Sequence, residues 1–323
     1  MLNAKSQFMF FLLFAAVFLQ LLAMRYVGTN DLKVYGEALL DGGVYAGDWA
    51  FEKLQLGLVF LLGPQLTIYG MQLVLVFLIV IFVYQIRRKT YSFSYIAALV
   101  ILTSPLVLVG LTNSIRQSLA FVLILISFES RHALTKYGLL IIAVLTHTAS
   151  LVLILVVWIT LLAINFRRFS IPRRHLMRIL VLSFLCVLFV LWRIVEISNF
   201  FVSVYERYEV YLYSAVTFTD GRVGVLKVYA WIAFWIVLLS FDARCHRARV
   251  SLFLVMPLLF TFLIFFDASL RGFDEFHSRL LLMNNPLLLL WFSQTIKIGE
   301  ERMWYPFLLV YNFFNPSTLG VLT

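Results

Sequence analysis

The chain has 323 residues, of which 63% are hydrophobic and 13% charged, and its mean hydropathy is +0.96. A soluble domain carries about 25% charged residues, so the composition excludes a soluble globular fold and describes an integral membrane protein. The net charge of +10 sits in short loops rather than on one face or tail. It is therefore a topology signal, and nucleic acid is excluded as a partner.

In chain order, Lys5 is followed by an apolar run over 7–24 that is long and lacks a clear small-x-small cleavage site. It reads as a retained first helix rather than a signal peptide. Further crossings are predicted at 66–86, 94–111, 115–130, 133–147, 149–166, 176–194, 223–241, 250–268, 280–296 and 303–321. The last is weakened by Asn312, Asn315 and Pro316. The basic loops at 87–89, 131–136, 167–178, 244–249 and 297–302 alternate with loops holding most of the acidic residues. By the positive-inside rule the basic set is cytoplasmic, and so is the N-terminus.

The apolar stretch 54–63 fits no crossing, because a span there would move Arg87-Arg88-Lys89 outside. It is read, over roughly 50–63, as a re-entrant or interfacial helix on the outer side, allowed where protein or a water-filled cavity satisfies its backbone. The expected fold is all-α and polytopic, with about eleven membrane helices plus that outer helix in a single membrane domain over 1–323. Outer segments 25–63 and 195–222 are large enough to shape a site, whereas every cytoplasmic loop is too short for a nucleotide-binding domain. Cys186 and Cys245 support neither a disulfide nor a thiolate metal site.

The chemistry-bearing residues are few. Arg116 opens one membrane helix and His147 closes the next. Each lies about sixteen positions from the cytoplasmic turn near Arg131, a rise of about 24 Å against a hydrocarbon core of about 30 Å. Both therefore reach a similar depth near the outer surface, where an arginine is expensive unless it faces a cavity or an anion. Snorkelling to headgroups and helix-end capping are the ordinary alternatives for the two residues. Arg193, Arg207, Arg222, Lys227, Arg271 and Arg279 lie on the same side, and guanidinium forks suit phosphate oxygens. Pairing with Glu196, Glu206 or Glu209 is the alternative for any one of them. Tyr205, Tyr208, Tyr211 and Tyr213 crowd one outer loop, as sugar-stacking faces or as an interfacial belt. His132, His175 and His246 fall in basic cytoplasmic loops, and His277 in an outer loop, so none competes with His147 as a base. The sequence has no Asp-x-Asp pair, zinc-spaced cluster, Gly-rich phosphate loop or Gly-x-Ser-x-Gly. No metal or other cofactor is expected.

Asn113-x-Ile115-Arg116-Gln117-x-x-Ala120, with His147 one helix later, resembles the EpsG family of Wzy-like polysaccharide polymerases. Asp31-x-x-x-Tyr35 resembles that family's early Asp/Tyr pattern. Asp48-Trp49-Ala50-Phe51 resembles its Glu-Pro-Gly-aromatic turn, with Asp for Glu and the Pro-Gly lost. Arg207-Tyr208-x-x-Tyr211 is similar to a later outer-loop motif, and Arg279 to an arginine opening a late helix. The resemblance implies a GT-C-like enzyme of the bacterial inner membrane that polymerises O-antigen, capsule or exopolysaccharide on its periplasmic face. Its substrates would be oligosaccharides on undecaprenyl diphosphate, and its partners the lipid bilayer and a chain-length regulator and flippase of the same pathway. In that reading His147 is the base and Arg116, Arg207 and Arg279 hold the donor diphosphate. Gln117, Tyr35, Tyr208, Tyr211, Arg222 and Arg271 line the substrate site, and Asp31 or Asp48 orients the acceptor or shares base duty. An O-antigen ligase, another lipid-linked glycosyltransferase, a flippase and an acyltransferase are the alternatives. The acyltransferase lacks the acidic/histidine pairing it would need, and no inverted repeat of the transporter kind is visible.

Overall fold

A computed structural model describes residues 4–24, 30–43, 48–90, 93–165, 275–296 and 304–314. All regular structure among them is helical. The helices, in chain order, are α1 (Ala4–Met24), α2 (Asn30–Leu40), α3 (Trp49–Leu62), α4 (Pro64–Lys89), α5 (Tyr95–Leu102), α6 (Pro105–Thr112), α7 (Ile115–Glu129), α8 (Ala133–Thr146), α9 (Ser150–Asn165), α10 (Glu275–Ile296) and α11 (Trp304–Phe314). The chain divides into two compact units, one of 1–151 with 282–323, the other of 152–281. Of the second unit, the described residues are most of α9 and the first turns of α10.

In the first unit α7 is the central element, packed against α4, α6 and α8. Its sequence carries apolar or small residues all round, and nearly every position is buried, as a helix without a polar face requires. α4 also receives α1, α2 and α3, while α5 packs against α1 and α11.

The expected outer helix near 50–63 is α3, and the chain reverses after it. Gly63 adopts φ 79°, a conformation open to glycine at little cost, and Pro64 then starts α4 with its φ already set. The reversal shows at Gly70, where an added Cβ would fall 2.8 Å from a Leu62 methyl and 3.1 Å from one of Leu58. A straight continuous helix would hold Leu58 and Gly70 about 18 Å apart. α3 therefore lies back along the first turns of α4, and its start reaches the end of α8, against which it also packs. Segment 25–63 holds a second helix, α2, beyond the one expected there. Buried Tyr35 on α2 meets fully buried Phe51 on α3 with ring centroids 5.5 Å apart.

Three further expectations are corrected. The span 94–111 is two helices, α5 and α6, bent by 43° at Thr103-Ser104. Pro105 supplies no N–H to the preceding turn, so the ladder breaks there. The Asn312 amide donates to Val100 O at 2.6 Å and to Thr103 Oγ at 3.1 Å, and Leu106 N–H donates to Asn285 Oδ1 at 3.3 Å. Asn312 thus does not interrupt the last helix; it is a buried residue of α11 that satisfies backbone freed at the break. Finally, α10 starts at Glu275, five residues before the expected 280, so His277 and Arg279 belong to a helix.

Eleven crossings were expected. Among the described residues, α4 is long and apolar enough to cross a membrane, and the bent α5–α6 pair passes the same test if taken as one span. α8, at 14 residues, is apolar but short for a full crossing. The expected crossings 176–194, 223–241 and 250–268 lie outside the described residues.

Candidate functional site

Three helix ends meet at one carboxylate. Asp48 precedes α3 with extended backbone (φ −126°, ψ 113°), the position and conformation of an N-cap. An aspartate there ordinarily accepts from backbone N–H groups of its own first turn, yet the Asp48 side chain makes no capping bond. Its oxygens leave the helix instead. Arg116, in the first turn of α7, donates from Nη1 to Asp48 Oδ2 at 2.7 Å. Thr148, in the turn between α8 and α9, donates from its hydroxyl to Oδ1 at 2.8 Å and from its backbone N–H at 3.3 Å. His147, which closes α8 with its N–H on Ala143 O, places Nδ1 at 3.6 Å from Oδ2.

The cluster is largely withdrawn from solvent, with side-chain exposures of 7% for Asp48, 11% for His147 and 15% for Arg116. Burial on its own raises a carboxyl pKa. At Asp48 the adjacent His147 imidazole, the hydrogen bonds from Thr148 and the charge of Arg116 outweigh it, holding the group below its ordinary value. Asp48 is accordingly an anion at neutral pH. Arginine at the positive end of α7 is opposed by the helix macrodipole, and Asp48 returns a negative charge to that end.

Chemically, the cluster combines a forked cation, an imidazole able to exchange a proton near neutral pH, and a carboxylate touching both. Arg116 and His147, expected at a similar depth from residue counting, share a contact with Asp48. Asp48, expected only as an orienting residue or second base, is the hub between them. Thr148 is not among the residues expected from sequence; a hydroxyl beside a candidate base was the one signal available.

Of the other expected site residues, Gln117 is buried in the first turn of α7 and Tyr35 is buried against α3. Asp31 is a residue of α2, and Arg279 lies in the part of α10 belonging to the second unit. Arg207, Tyr208, Tyr211, Arg222 and Arg271 lie outside the described residues.

The family model described as the EpsG family matches residues 8–315, nearly the whole chain. No match was found among curated proteins or among solved structures.

Proposed function

Since this chain belongs to the EpsG family, which is associated with exopolysaccharide synthesis, we propose that it is a polysaccharide polymerase of the bacterial inner membrane. It would join undecaprenyl-diphosphate-linked repeat units on the periplasmic face. The observation that carries the reading is the meeting of Arg116, Asp48 and His147 at one point formed by three helix ends. A transferase with a lipid diphosphate as leaving group needs a cation for the departing charge and a base for the attacking hydroxyl. Arg116 supplies the first and His147 the second.

The reaction is a displacement at the anomeric carbon of the donor sugar. His147 takes the proton of the acceptor hydroxyl as its oxygen bonds to that carbon. The bond from the carbon to the phosphate oxygen breaks, and its electron pair leaves with undecaprenyl diphosphate, whose charge Arg116 stabilises. The guanidinium presents two parallel donors to phosphate oxygens, which a lysine ammonium does not reproduce. Arg207 and Arg279 extend the cationic set in this reading, and Tyr208 and Tyr211 provide faces for sugar rings. A ligase would use the same chemistry with another acceptor.

A transporter of the same lipid is the second reading, and the 43° bend between α5 and α6 is the feature that favours it, because broken helices recur at transporter binding sites. One assay separates the readings. Purified protein in detergent is given undecaprenyl-diphosphate repeat units, and the products are resolved on a gel. A ladder is expected. Unchanged lipid from a preparation that moves the same lipid across vesicles would establish the transporter.

A further inference from the structure

The two oxygens of Asp48 are held differently. Oδ1 is fixed by two donors of a single residue, the hydroxyl and N–H of Thr148. Oδ2 has two nitrogen neighbours from different helix ends, Arg116 Nη1 at 2.7 Å and His147 Nδ1 at 3.6 Å. The guanidinium holds this oxygen, and the imidazole stands about 0.5 Å beyond hydrogen-bond reach. An N-cap aspartate that forgoes its own helix for these contacts is placed for a purpose other than helix stability.

Resting on the lipid-diphosphate reading above, we propose that Asp48 is a positioning residue that changes partners when the donor binds. In this structure it neutralises Arg116. A diphosphate arriving at the Arg116 fork brings more negative charge and a bidentate fit, and a carboxylate left beside it would be repelled. Oδ2 then passes to His147 Nδ1–H. Thr148 keeps Oδ1 in place, so the exchange is a small rotation about that oxygen. Thr148 is also the immediate neighbour of His147, so the anchor and the new partner belong to one short stretch of backbone. With Nδ1–H bound to the carboxylate, Nε2 is left to take the acceptor proton, and the carboxylate stabilises the imidazolium formed. The base is thereby oriented only when a donor is present, which disfavours activation of water at an empty site.

The proposal demands that binding and turnover respond to Asp48 with opposite signs. The experiment uses the full chain in detergent, farnesyl diphosphate as a short-chain probe of donor affinity, and the ladder assay for turnover. Asp48→Asn removes the competing charge, so farnesyl diphosphate should bind about tenfold more tightly. Its turnover should fall about 10²-fold, because the imidazole loses its orienting charge. Asp48→Glu should recover part of the rate. An Asp48→Asn protein that binds the probe more weakly would show Asp48 to be a simple buttress for Arg116 and overturn the exchange, as would unchanged turnover. If Asp48→Asn does not fold, Thr148→Val decides. It keeps the ion pair, so kcat should fall with KM unchanged; a rise in KM at unchanged kcat would overturn the proposal. Wild-type protein giving neither ladder nor probe binding would remove the polymerase reading itself. A wild-type ladder with weaker binding by Asp48→Asn would remove only the partner exchange.

Discussion

The two ends of α7 carry opposite charges, and both are on the wrong end for the helix. Arg116 stands at the positive N-terminus and Glu129 at the negative C-terminus, about 20 Å away along the axis. Each is compensated from elsewhere in the chain. At the Glu129 end, Lys89 from the last turn of α4 donates to Oε2 at 2.9 Å and also to the Glu129 carbonyl. Ser293 of α10 donates to Oε1 at 3.1 Å. The carboxylate there is 1% exposed, and both its oxygens accept bonds. That arrangement ties α4, α7 and α10 together. At the Arg116 end the hub is the carboxylate rather than the helix residue, and one of its oxygens faces both a guanidinium and an imidazole. Two buried ion pairs on one helix thus differ in kind: one is saturated, the other holds a proton-exchanging group just beyond bonding distance.

The widest separation between them is expected from paired replacements. A buried ion pair exchanged for apolar residues of similar volume is often neutral in stability, whereas removing one partner leaves a buried charge. Lys89→Met with Glu129→Leu should therefore give a folded, active protein. Arg116→Met with Asp48→Leu should fold and yield no ladder. Activity in the second double variant would reduce the Arg116 end to a structural pair like its counterpart. The same contrast appears in Arg116→Lys, which keeps charge but not the fork and should lose most activity at unchanged protein level.

Next in size is His147. His147→Ala should slow turnover about 10²–10⁴-fold while probe binding persists, the usual share of general-base catalysis. His147→Gln should be nearly as slow, since an amide keeps a hydrogen bond but accepts no proton. A fully active glutamine variant would move the base to Asp31 or Asp48 and leave His147 as a helix-closing residue. No residue at the Glu129 end should produce this pattern.

A single replacement at the Glu129 end should act on stability instead. Lys89→Met leaves the buried Glu129 carboxylate without its cation and should cost about 3 kcal/mol, read as a lower midpoint of thermal unfolding in detergent. Turnover per folded molecule should be unchanged. A slowed rate with an unchanged melting midpoint would show that the two ends are coupled through α7.

Why one end was legible and the other was not follows from the kinds of contact involved. Arg116 and His147 flank consecutive helices, so counting residues from Arg131 was enough to bring them to the same end of the α7–α8 pair. Helix existence was likewise readable from apolar runs, including α3, whose length and position excluded a crossing. Asp48 required knowing that Gly63 and Pro64 turn α3 back along α4, which delivers position 48 to positions 116 and 148. Local pattern does not encode that approach, and only the motif resemblance pointed to Asp48. Glu129 was hidden by its neighbours, since one acidic residue beside a basic loop reads as an ordinary helix end. Asn312 was misread for a related reason. A polar residue in an apolar run signals a break in its own helix or a bond to a break in another, and the sequence does not distinguish them.

The smallest expected effect is on acid stability, and its sign follows from Asp48. Its folded-state pKa lies below the ordinary carboxylate value, so its contribution to stability is fully present above the unfolded-state pKa. That contribution is lost as pH falls through the folded-state pKa, because protonation removes the anion that Arg116 and Thr148 hold. An unfolded aspartate titrates at about 3.9, so the loss belongs below about pH 4. Unfolding midpoints measured as pH is lowered should therefore decline most steeply at the acid end. Asp48→Asn should flatten that decline while lowering the neutral-pH midpoint, whereas Thr148→Val should weaken it without abolishing it. The rate of polymerisation should fall where His147 acquires its proton and ceases to be a base, an event separate from the protonation of Asp48. Activity and stability falling together over one pH interval would mean that a single group governs both, and the division of labour between Asp48 and His147 would be wrong.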